Sequence, residues 1–195
     1  MTGVRSKIQI YSKHGLWSLF LMCALPLHFW TLLLAFRDIS WLTERSNLWD
    51  AIGVLAYGLV FTFVESLLVC LIMALLGLLI STKWDEPRRI ALLNVLVFVV
   101  SFWAMFGQAH FIWGISPPAP ILTFIAQSGH PYRYLFGITL VEVVGTTAVP
   151  AFLVLRWKKF FRFVLEGADR ISLLASFYLV LDLVGLAIVV IRNIF

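Results

Sequence analysis

Five ionisable side chains, Glu65, Glu142, Asp182, His28 and His110, lie inside or at the end of long apolar runs. Carboxylates and imidazoles there can hold a proton, pass it on, or bind a cation. They are costly in an apolar setting, so they are rare and usually face a bundle interior or a water-filled cavity. Thr62-Phe63-Val64-Glu65 shows the conflict most sharply, with a carboxylate at the centre of an otherwise apolar stretch.

A helical rise of about 1.5 Å per residue converts position into depth. Glu142 lies eight positions beyond Tyr134, and His28 eight before Phe36, so each is about 12 Å from its outer boundary. Asp182 is nine positions before Ile191, or roughly 14 Å. Glu65 is eight positions from Tyr57, an aromatic residue that suits an outer interface. Four ionisable residues on four different segments are therefore expected at one depth in the outer half, with His110 shallower. If they face one another, they form a single polar site.

A weak internal likeness points the same way. Tyr57, Thr62, Val64 and Glu65 recur as Tyr134, Thr139, Val141 and Glu142 at identical spacing, and His28-Phe29-Trp30 is loosely echoed by His110-Phe111-Ile112-Trp113. Parallel repeats of this kind occur in transporters, although Thr, Val and aromatic residues are common enough here to match by chance. Each residue also has a plain alternative. A lone acid can be protonated and hydrogen-bonded between helices, and His28 can satisfy backbone groups freed by nearby Pro26.

The elements that must carry these residues are set by composition. The chain of 195 residues is 62% hydrophobic and only 13% charged, against about 25% charged in soluble domains. So small a domain has too much surface to hide that much apolar material in water, so the expected solvent is the bilayer. Five runs reach the roughly 20 residues a crossing needs, near 15–36, 52–80, 90–113, 134–155 and 171–191. Each must be a helix, because lipid cannot satisfy open backbone groups. The expected fold is all-α: residues 1–195 as a single polytopic bundle of five transmembrane helices. The first run follows Arg5, Lys7 and Lys13 as a signal peptide would, but its length and the lack of a small-residue cleavage site favour a retained span.

Cation placement gives orientation. Arg5, Lys7 and Lys13, then Lys83, Arg88 and Arg89, then Arg156, Lys158, Lys159, Arg162 and Arg170 all fall on one side; Arg37, Arg45, Arg133 and Arg192 fall on the other. The excess marks the cytoplasmic side, so the N-terminus is expected inside and the C-terminus outside. Trp41, Trp49, Trp84, Trp113, Trp157, Tyr132 and Tyr134 sit at span ends, where amphipathic rings prefer the headgroups. The basic stretch 156–170 suits a short amphipathic helix in the inner interface, and the Pro-interrupted stretch 114–133 holds an apolar piece, Ile121–Ala126, too short to span, which suits an outer cap. Cys23 and Cys70 read as buried thiols.

These features exclude some functions and rank others. No loop can house a soluble domain, and there is no P-loop or GxGxxG motif. The positive charge signals membrane orientation, not nucleic acid. A proton- or cation-linked transport component suits the acids and histidines best. A non-catalytic subunit of a larger membrane complex is the alternative, since intramembrane polar residues also join helices. An intramembrane metal or haem enzyme is less favoured, because neither HExxH nor GxSxG is present. The cofactor is not specified by the sequence. Expected partners are lipid and either further copies of the chain or other membrane subunits; the expected location is a bacterial plasma membrane, since no organelle address is visible.

Overall fold

Helix starts and stops follow local chemistry. The computed structural model describes residues 11–80, 84–116 and 118–194. Arg5, Lys7 and Lys83, counted for orientation, and Pro117 of the Pro-interrupted stretch lie outside the described residues. Helix α1 (Lys13–Arg45) is capped by the Ser12 hydroxyl, which accepts from the Gly15 N–H at 3.0 Å. Asn47 does the same for α2 (Leu48–Leu78), accepting from Asp50 N–H at 2.9 Å. Such caps satisfy amide groups that have no partner within the helix. Helix α3 (Glu86–Trp113) ends at Gly114, whose φ of 60° is left-handed, a geometry that costs glycine little. Short α4 (Ala119–Gln127) and long α5 (Pro131–Arg156) follow, each with proline in its first turn, where the missing amide costs nothing. Trp157 alone, in extended geometry, separates α5 from α6 (Lys158–Ile194).

All elements among the described residues are helical, and five of the six helices are long and apolar enough to cross a membrane. Their limits differ from the apolar runs in one instructive place. Of the basic stretch expected as an interfacial helix, Arg156 ends α5, and 158–170 are the first part of α6, continuous with the fifth apolar run. Charge ends a span but not a helix, and no proline interrupts 158–194. At 37 residues, α6 is about 55 Å long by its rise, well beyond the ~30 Å of a hydrocarbon core.

Helices α1, α2 and α6 pack against one another; α3 lies on another side of α1, and α5 packs on α3 and α6. Leu19, Cys23, Met73, Ile90, Leu93 and Val97 form the core where α1, α2 and α3 meet. Phe20, Leu21 and Ala175 form a second, between α1, α2 and α6. Polar ties hold the ends. Arg192 on α6 donates to Asp50 at 2.7 Å and to the Trp49 carbonyl at 2.5 Å, and Asn193 donates to the Tyr57 hydroxyl at 2.6 Å. At the opposite end, Tyr11 donates to the Ala74 carbonyl at 2.8 Å, and the Ser12 amide donates to Glu86 at 2.6 Å.

Candidate functional site

The triangle of α1, α2 and α6 encloses a His–Asp couple. His28 from α1 is fully buried and Asp182 from α6 is 6% exposed. His28 Nε2 lies 2.9 Å from one Asp182 carboxylate oxygen and 3.0 Å from the other. Its Nδ1 lies 2.8 Å from the Ala24 carbonyl, one turn earlier on α1. That carbonyl can only accept, so Nδ1 carries a hydrogen. Between Nε2 and the carboxylate there must be one further proton, because two lone pairs would repel. The couple is therefore imidazolium with carboxylate, or imidazole with carboxylic acid. Both forms are neutral overall, which limits the cost of burying them.

Neighbouring groups fix the couple. The Tyr178 ring stacks on the imidazole, 5.3 Å between centroids and 15° between planes, presenting a π face that favours a cationic ring. Tyr178 and Asp182 are four residues apart, hence on one face of α6. Three residues beyond His28, Thr31 donates to Thr62 at 2.8 Å, and Thr62 donates to the Gly58 carbonyl at 2.8 Å. This short chain joins α1 to α2. The sequence reasoning did not single out Tyr178 or Thr31; for Tyr178, the one-turn spacing to Asp182 was the available signal. The carbonyl His28 engages is that of Ala24, not the Met22 carbonyl that Pro26 leaves without its usual amide.

Of the five candidate residues, the structure brings together His28 and Asp182. Glu65 shares their level: Thr31 and Thr62 are bonded, and His28 and Glu65 each lie three residues, or about 4.5 Å, to the same side of that bond along the helix axes. Yet it points elsewhere. The α2 residues that line a groove with α6 are Val60, Phe63, Leu67, Cys70, Leu71 and Ala74, and 100° per residue puts half-exposed Glu65 on the opposite side of the helix. Glu142 is exposed on α5, a helix that makes no contact with α1 or α2. Neither glutamate carboxylate has a hydrogen-bond or ion-pair partner among the described residues. His110, in the last turn of α3, bonds the Ile115 carbonyl through Nδ1 and meets the Phe106 ring edge-on. The likeness between the two halves thus does not extend to what His28 and His110 touch.

Asp182 also shows an edge to the outside of the bundle. An apolar groove of about 900 Å³ runs between α1, α2 and α6, from Lys13 at one end, past Asp182, to Val60 and Leu186. Among the described residues, no three His, Cys, Asp or Glu side chains are grouped as metal ligands. Cys23 and Cys70 are free thiols. Comparison with protein-family models, curated proteins and solved structures gives no match, so chemistry alone carries the reading of this site.

Proposed function

We propose that the chain is an integral membrane component of proton-linked transport, with the His28–Asp182 couple as its proton-binding site. The observation that carries this is the couple itself, a buried pair on two long apolar helices that must hold one proton between its partners. Such a pair sits within one proton of both an acidic and a basic form. Gain of a proton makes it cationic and loss makes it anionic, and intramembrane His and Asp are the groups from which proton relays are built. The second link is the edge of Asp182 on the groove, which gives the proton a side from which to arrive. In this reading the N-terminus is cytoplasmic and the C-terminus external, as the cation distribution favours, and the membrane is a bacterial plasma membrane. A bundle of five spans is small for a complete carrier, so it works with further copies of itself or with other membrane subunits.

Reconstitution tests the proposal. Purified protein in liposomes with an entrapped pH-sensitive dye should dissipate an imposed proton gradient. Asp182→Asn and His28→Gln should abolish that flux while leaving the elution profile of the protein unchanged. A wild-type rate in assembled Asp182→Asn would remove the couple from the mechanism.

One observation favours the subunit reading. Glu142 faces outward from α5, a candidate span whose one buried residue is Val154. An acid in that position is expensive against lipid, and a neighbouring subunit would relieve it. Gentle extraction should then recover a stoichiometric second protein, or a homo-oligomer; a stable monomer with full function would exclude it.

A further inference from the structure

We infer that the α1–α2–α6 groove is a binding site for an anionic glycerophospholipid, with one acyl chain along the groove and the phosphate at Lys13. Three observations define the occupant. The walls are leucine, valine and aromatic surface, with Leu16, Trp17, Leu67, Leu71 and Leu183 all well exposed. Such a wall in a membrane takes hydrocarbon. The volume, about 900 Å³, is that of a small-molecule site, not of a whole helix face.

Length is the second observation. Asp182 is bonded to His28, and His28 lies fifteen residues along α1 from Lys13, so about 22 Å of the groove separates Lys13 from the level of Asp182. Asp182 lies roughly 14 Å from the far boundary by the same rise. The two lengths together exceed the ~30 Å hydrocarbon core by a few ångströms, which puts Lys13 among the headgroups and Asp182 at acyl-chain depth.

Charge is the third. Lys13 is exposed and is the cation of the groove wall. It belongs to the first turn of α1, whose N-terminal dipole also favours an anion. The nearby carboxylate of Glu86 binds the Ser12 amide and lies over Gly15, 200° around α1 from Lys13 at 100° per residue, so it does not oppose an anion on the groove side. A zwitterionic headgroup gains less from this end than a phosphatidylglycerol. The bound chain covers the edge of Asp182, so on the proposed function its presence closes the side from which the proton arrives. The site rests on the placement of the helices in a bilayer and not on proton coupling, and its test reads lipid alone.

The protein is reconstituted with equal amounts of phosphatidylglycerol and phosphatidylcholine, and the lipid retained is weighed by native mass spectrometry. Wild type should keep one phosphatidylglycerol per chain. Lys13→Gln should cut the preference for phosphatidylglycerol by about fivefold, the usual worth of one lysine at an anionic surface. Leu183→Trp fills the groove and should lower retention of both lipids by on the order of tenfold, as burial of the chain is lost. Should that variant fail to fold, exposed Lys13→Gln still reports. Equal retention of the two lipids by wild type, undiminished retention by folded Leu183→Trp, or a lipid-free dimer with the groove closed by a second copy would each overturn the assignment.

Discussion

The imidazole of His28 has an oxygen atom against each of its nitrogens, and this drives the energetics of the couple. Its Nδ1 proton is committed to the Ala24 carbonyl, so chemistry is left to the single proton shared with Asp182. Removing one partner strands the other in the bundle, at a typical cost of about 3–5 kcal/mol for a broken buried pair. Asp182→Ala should therefore lower the unfolding temperature sharply, while the double variant His28→Leu with Asp182→Leu should be less destabilised than either single change. Thermal unfolding in detergent checks both; a double variant worse than both singles would contradict the pairing. Outside the spans, Tyr11 donates to the Ala74 carbonyl, and burial raises its phenol above the ordinary pKa, an effect the neighbouring Arg89 charge offsets in part. A raised folded pKa gives stability that is fully present below the unfolded value near 10 and lost as pH rises through the folded one. Tyr11→Phe should flatten the alkaline end of the stability profile, measured by denaturation between neutral and strongly alkaline pH.

At the scale of the elements, close approach of α2 and α6 holds the site together. A Cβ at Gly185 would lie 3.2 Å from the Ala56 carbonyl oxygen and 3.4 Å from the Leu59 Cβ. Gly185→Leu must push the two helices apart, and overpacking of this kind costs about 1–3 kcal/mol. Gly145 on α5 meets nothing within 4 Å, so Gly145→Leu should leave the unfolding temperature near wild type and serves as the control. Depth within the elements was legible in the sequence because the rise per residue is fixed; His28, Glu65 and Asp182 do share a level. Direction around the helix was not. Beside Glu65 on α2, Thr62 and Ser66 are buried, but their hydroxyls bond carbonyls of their own helix, a bond available on any face, so they gave no signal for inside and outside. The continuity of α6 was hidden for a related reason, since Lys158, Lys159 and Arg162 end an apolar run without breaking a helix.

For the whole molecule, the apolar runs made an all-helical architecture with five long apolar helices readable from composition and length. What surrounds the bundle was not readable, because lipid and a partner subunit select the same leucine, valine and phenylalanine. Orientation can be tested directly. His130→Cys should react with an impermeant thiol reagent on intact cells, and Asp169→Cys should react only after permeabilisation. The reverse pattern would invert the topology, and equal labelling of both would place them on one side. The central claim, one proton shared by His28 and Asp182, is tested most directly by ¹⁵N NMR of histidine-labelled protein in a bilayer. The expected result is a protonated Nδ1 on His28 and an Nε2 resonance that moves when Asp182 is replaced by asparagine. A His28 spectrum unchanged by Asp182→Asn, in a variant that remains folded, would contradict it.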